Sequence, residues 1–173
     1  MTLPPQCEAA DQADDEVYQL AEEQSVVGLL AAGIDHVSDV KLPQNEVLTI
    51  VGSTLQLEQR NEAMNQFVKK LFRRFKDEGI YAVLIKGQGV AQCYEKPLWR
   101  ASGDVDLLLD ADNYERTKKV LFPKADHVAD EEPLAKHQGL SIGGFEVELH
   151  GRMPFFLSRN DNVGQMIPML SLK

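Results

Sequence analysis

The sequence predicts an α+β fold, N-terminal helices followed by a small mixed β-sheet, and three observations carry that prediction. Apolar residues in the first half of the chain recur at helical spacing, as Phe67, Leu71 and Phe75 do, the pattern of a helix buried along one stripe. From Ile80 onward the pattern changes to short apolar runs separated by glycine-bearing turns, which reads as strands and hairpins. Two of those runs carry carboxylates at alternate positions, Asp104 and Asp106 in one and Glu146 and Glu148 in the other. Alternation in a strand sends such residues to one face and the intervening apolar ones to the other.

Along the chain, residues 1–14 are rich in Asp, Gln and Ala without apolar periodicity and are expected to be disordered. A helical region over 15–78 follows. Its first helix, about Asp15 to Ala32, places Val17, Leu20, Ala21, Val27 and Leu30 near one stripe and stops at Gly33. Ile34 to Pro43 reads as a connection or short helix, and a long helix runs from about Asn45 to Glu78, with Gly52-Ser53 as a point of weakness and Gly79 as its stop. A core over 79–157 opens with the apolar run Tyr81 to Ile85, a turn Lys86-Gly87-Gln88-Gly89 and a short helix through Val90 to Tyr94. The strand Gly103 to Leu109 comes next, then a helix from Asp112 to Phe122 with Asp110 or Asp112 as N-cap and Pro123 as its break. Asp126 to Lys136 is acidic and irregular, either a solvated connection or a loop over the site. Leu140 to Ile142, Gly143-Gly144 and Phe145 to His150 form a hairpin pattern. The tail, 158–173, ends in the apolar run Met166 to Leu170 and predicts further C-terminal helices or a partner chain to cover it.

The chemistry-bearing feature is the pair Asp104 and Asp106. Two like charges held close on one strand face destabilise the fold unless a cation or a solvent-exposed cleft compensates them, so the pair suits a divalent metal; an edge strand with solvated aspartates is the competing reading. Glu146, Glu148 and His150 share a face of the third acidic strand, and a neighbouring position in the sheet would bring one of these carboxylates beside the aspartates. Mg²⁺ favours a few carboxylates completed by water and phosphate oxygens. The turn at Lys86-Gly87 offers backbone N–H groups and a cation to an anion, but the Gly-x(4)-Gly-Lys-[Ser/Thr] phosphate loop is absent, and taken alone the turn reads as an ordinary strand-ending turn with a solvated lysine.

Leu84-Ile85-Lys86-Gly87, then Tyr94 and Pro97, then Arg100 with Gly103-Asp104-Val105-Asp106-Leu107-Leu108, and finally Val147-Glu148-Leu149-His150 stand in an order that resembles the polymerase-beta-like nucleotidyltransferase superfamily. Within it, the likeness is to uncharacterised bacterial nucleotidyltransferases with a Lys-Gly turn, and it extends over roughly residues 15 to 155. The resemblance implies a palm-type core that binds a nucleoside triphosphate with Mg²⁺ or Mn²⁺. It makes Asp104, Asp106 and Glu148 the catalytic and metal-binding residues, with Glu146 a bystander. It implies Lys86, Gly87, Gln88 and Arg100 as nucleotide contacts, Arg100 being equally able to pair with an aspartate. The superfamily's commoner turn is Gly-Ser, whereas Gln88 follows Gly87 here. The implied reaction moves a nucleoside monophosphate from a triphosphate to a hydroxyl acceptor. A catalytically silent nucleotide-binding regulatory or antitoxin-type partner is the alternative.

Composition narrows the partners. A net charge of −9 over 173 residues disfavours a protein that holds a long nucleic acid and favours a small-molecule or protein acceptor. Lys69, Lys70, Arg73, Arg74 and Lys76 cluster on a helical stretch and read as a solvated face. Two cysteines, Cys7 and Cys93, make no disulfide framework. With no signal-peptide pattern and no membrane-spanning run, a cytoplasmic location is expected. His36, His127 and His137 lack metal-ligand spacing and read as surface or capping residues.

Overall fold

Where the apolar stripe is longest, the helix is longest. A computed structural model describes residues 17–34, 36–37 and 42–152; the stretches 1–14 and 158–173 treated above lie outside them. The chain divides into two compact units, a helical one reaching Leu71 and taking in Lys86–Gly103, and a sheet unit of Phe72–Ile85 with the residues from Asp104 onward. Among the described residues no helix is long and apolar enough to cross a membrane.

In the helical unit, residues 17–23 are helical and a second helix, α1, spans Val27–Ile34. The single helix expected over Asp15 to Ala32 is therefore broken. Ser25 takes the left-handed conformation, φ 56°, and the turn closes with Ser25 N–H donating to Glu22 O and Val26 N–H to Ala21 O at 2.7 Å, the bonding of a helix that ends. Gly33 does not stop α1, which runs through it. The long helix, α2, spans Gln44–Asp77 without interruption. Gly52 costs it about 1 kcal/mol relative to alanine, too little to break a helix anchored along its length. Its inward stripe in this unit is Asn61, Met64, Val68 and Leu71, all buried. A short helix, α3, covers Gly87–Ala91, starting earlier than the Val90 to Tyr94 reading, and a 3₁₀ turn covers Pro97–Trp99.

Gly28 sets how closely α1 meets that turn. A Cβ built there would lie 1.8 Å from the carbonyl oxygen of Trp99, so only glycine fits. Gly28→Ala is expected to lower stability by about 1–3 kcal/mol, the range for overpacking a fixed contact. Thermal melting followed by the fluorescence of Trp99, the single tryptophan, checks this, and an unchanged midpoint would show that α1 is free to shift.

Among the described residues the sheet unit holds five strands: β1 Val83–Ile85, β2 Asp104–Leu108, β3 His127–Val128, β4 His137–Ile142 and β5 Phe145–His150. Their order is β1-β2-β5-β4-β3; β2 and β5 run parallel and the other pairs antiparallel. The sheet is mixed, as the sequence predicts. The turn that closes α2 after Asp77 has Gly79 at φ 62°, with Ile80 N–H donating to Phe75 O at 2.8 Å. Helix α4, Ala111–Leu121, is capped by Asp110, whose Oδ1 accepts from Asn113 N–H at 2.8 Å. That bond from the Asn113 backbone holds the Asp110 carboxyl below its ordinary range.

Val105, Leu107, Val147 and Leu149 are all at most 1% exposed and form the core with Phe75, Leu109, Tyr114, Leu121 and Leu140. The hairpin from β4 to β5 turns at Gly143 and Gly144, φ 58° and 82°, both in the region a two-residue turn of this hand requires. The acidic segment Asp126 to Lys136 contains β3, a two-residue strand too short to leave a periodic signature. Glu131 in that segment is held down on α4, accepting from Tyr114 Oη–H at 2.8 Å and from Lys118 Nζ at 2.7 Å. The lysine contact keeps its carboxyl below the usual carboxylate range.

Candidate functional site

Because Val105 and Leu107 point into the core, the strand's alternation turns Asp104 and Asp106 to the opposite face. β5 lies beside β2 in parallel, and its register sets Asp106 opposite Glu148 and Asp104 opposite Glu146. Glu148 therefore joins the pair. One carboxylate oxygen from each of Asp104, Asp106 and Glu148 lies within 4.8 Å of the others. Asp106 is the innermost at 1% exposure, while Asp104 and Glu148 are half-buried and Glu146 is exposed. Three hard oxygen donors on adjacent strands, two of them open to solvent, are the donor set Mg²⁺ takes, with room left for water and phosphate oxygens.

Histidines border the carboxylates on the other side. His150 Nε2 lies 2.9 Å from Asp106 Oδ1, and since a carboxylate only accepts, Nε2–H donates and fixes the aspartate's orientation. His137 Nε2 lies 3.3 Å from Glu148 Oε2, and His150 Nε2 lies 3.4 Å from the same oxygen. His137, expected as a surface or capping residue, is only partly exposed: β4 pairs it directly with His150, and the two rings lie tilted at 39° with centroids 5.0 Å apart. The signal was present in the Gly143-Gly144 turn, because a two-residue hairpin places residues whose numbers sum to 287 opposite each other, 137 with 150. His36 and His127 are exposed.

The residues expected at the nucleotide fall in the helical unit, where they form a cluster of their own. Lys86 precedes α3 in the left-handed region, φ 53°, and Gly87 follows at φ 24°. Arg100 Nη1 donates to Gly87 O at 3.2 Å, to Ala101 O at 3.3 Å and to Ser102 Oγ at 3.2 Å. Gln88 is buried, its amide nitrogen donating to Asn61 Oδ1 at 2.9 Å and contacting Met64 Sδ at 3.2 Å. Asn61 in turn donates to Leu98 O at 2.7 Å and Arg100 O at 2.8 Å. The turn and the arginine are thus fixed to one another through Asn61, a residue with no motif around it in the sequence.

A separate apolar cavity of about 210 Å³ in the helical unit is lined by residues including Ala31, Ile50, Leu55 and Trp99.

A family model described as an uncharacterised nucleotidyltransferase matches residues 10–159, most of the chain. No curated protein and no solved structure matches the chain.

Proposed function

The chain belongs to the uncharacterised nucleotidyltransferase family, and on that premise we propose that it transfers a nucleoside monophosphate from a nucleoside triphosphate to a hydroxyl acceptor. The observation that carries this reading is the convergence of Asp104, Asp106 and Glu148 on one face of two neighbouring strands. These three carboxylates would hold Mg²⁺ or Mn²⁺. Bound there, the metal supplies charge neutralisation for the phosphates and for the attacking and leaving oxygens.

The protein's own groups then divide the work. Glu148, half-buried, accepts the proton of the acceptor hydroxyl; the freed oxygen attacks the α-phosphorus and pyrophosphate departs in line with it. His150 keeps Asp106 in a single orientation through its 2.9 Å hydrogen bond, a positioning role of the kind metal-binding carboxylates rely on. Lys86, Gly87, Gln88 and Arg100 are assigned to the phosphates: the two cations by charge, Gly87 by its backbone, and Gln88 as the anchor of the turn. The net charge of −9 favours a small-molecule or protein hydroxyl over a long nucleic acid as acceptor.

Isothermal titration with each nucleoside triphosphate tests the reading. Binding is expected to require Mg²⁺ and to be lost in the Asp104→Asn, Asp106→Asn double variant. Binding that ignores both metal and variant would place the nucleotide elsewhere. Metal-dependent binding without pyrophosphate release across an acceptor screen would instead mark a silent nucleotide-binding partner.

A further inference from the structure

We propose a second metal site, made by His137, His150 and Glu148, that takes a transition-metal ion of the Zn²⁺ class in preference to Mg²⁺. The geometry of the three side chains points to this site independently of the nucleotidyltransferase reading.

An ion about 2.0–2.2 Å from each donor at tetrahedral angles sets its donor atoms roughly 3.3–3.5 Å apart. Glu148 Oε2 lies 3.3 Å from His137 Nε2 and 3.4 Å from His150 Nε2, and the donor atoms of all three residues lie within 4.8 Å of one another. Those two separations are long for charge-assisted hydrogen bonds, which close to about 2.7–2.9 Å, and they match two edges of a metal tetrahedron. The backbone pre-sets the arrangement. His137 and His150 are cross-strand partners in the β4–β5 hairpin and Glu148 is two residues from His150 on the same face. All three side chains are partly buried, at 30%, 11% and 33% exposure for His137, His150 and Glu148, so the donors lose little freedom on binding.

The donor chemistry selects the metal. Two imidazoles and one carboxylate suit Zn²⁺, Co²⁺ or Ni²⁺, whereas Mg²⁺ demands oxygen. Three protein ligands leave a fourth position for water or an exogenous oxygen. His150 Nε2 also faces Asp106 Oδ1 at 2.9 Å, so binding exchanges that hydrogen bond for a coordinate bond at Nε2 and leaves the ring's proton on Nδ1. Glu148 belongs to both donor sets, which makes the two sites interdependent.

Titration of the full chain with Co²⁺, read by its visible ligand-field absorption and reversed by Zn²⁺, tests the site. The expected result is intense, tetrahedral-type absorption in the native protein that survives in Asp104→Asn. In His137→Gln the affinity should fall by at least the roughly 10- to 100-fold that losing even an outer-sphere partner costs. Equal binding in His137→Gln, or no Co²⁺ absorption in the native protein, would overturn the proposal. Should His137→Gln fail to fold, X-ray absorption of the Zn²⁺-loaded native chain decides: two imidazoles are expected, and an all-oxygen shell rejects the site. Because Asp104→Asn touches the carboxylate set alone, loss of nucleotide binding in that variant with Co²⁺ retained separates the two proposals.

Discussion

Replacing Asp106 with asparagine is expected to lower the turnover of nucleotidyl transfer by about 10³-fold or more, some 4 kcal/mol of transition-state stabilisation, while the protein stays folded. The substitution keeps shape, and the asparagine Oδ1 still accepts from His150 Nε2, so the buried position retains its 2.9 Å partner. What disappears is one of three negative charges gathered within 4.8 Å. Relief of that repulsion offsets the weakening of the bond from His150, so the metal-free variant is expected to melt close to the native protein. Asp104→Asn and Glu148→Gln are expected to be comparably inactive. Glu146→Gln is the discriminating control: it sits opposite Asp104 in register yet is exposed and outside the cluster, and it should retain native turnover. Pyrophosphate release with the acceptor found by screening, alongside thermal melts with and without Mg²⁺, measures all four. Native-like turnover in any of the three cluster variants removes that residue from the mechanism, and loss in Glu146→Gln would mean that the whole acidic face matters.

The sheet face was legible because two independent periodicities agree. Val105 and Leu107, like Val147 and Leu149, are apolar at alternate positions, so the side of the carboxylates follows from the burial of their neighbours. That β2 and β5 are adjacent and parallel is a tertiary fact: alternation allowed Glu148 to reach the aspartates only on condition that the strands were neighbours, and nothing along the chain gave their relative direction. Other features left weak traces or none. Ser25 turns the chain with a positive φ that glycine would have advertised and serine does not. Gly52 looked like a breaking point, yet one glycine is outweighed by the packing of a 34-residue helix. His137 was hidden because its partners are set by hairpin register and not by spacing along the chain. Asn61 was hidden for a different reason: a single polar residue in an apolar stripe gives no sign of partners 37 and 39 residues away.

That asparagine carries the second large effect. Asn61 is fully buried, and all its amide capacity toward this network is used: two N–H bonds to Leu98 O and Arg100 O, and one accepted from Gln88 Nε2. Asn61→Leu keeps the branched shape of the side chain but strands two carbonyls and one amide N–H away from water. With each stranded group costing about 1–3 kcal/mol and partial relaxation allowed, a loss of about 3–5 kcal/mol is expected. Denaturant titration followed by Trp99, next in sequence to Leu98, measures it, and a loss under about 1 kcal/mol would show that the segment relaxes onto water. Asn61→Asp sharpens the test. A carboxylate there faces two carbonyl oxygens and is buried, so both effects raise its folded pKa above the unfolded value of about 3.9. Protonation then favours the folded form, and the variant should gain stability as pH falls through that raised pKa, opposite in sign to a salt-bridged aspartate. The same network fixes the carbonyl of Arg100 and the amide of Gln88. Nucleotide affinity should therefore fall in Asn61→Leu even under conditions where the protein remains folded, whereas unchanged affinity would detach the Lys86 turn and Arg100 from the phosphate role assigned to them.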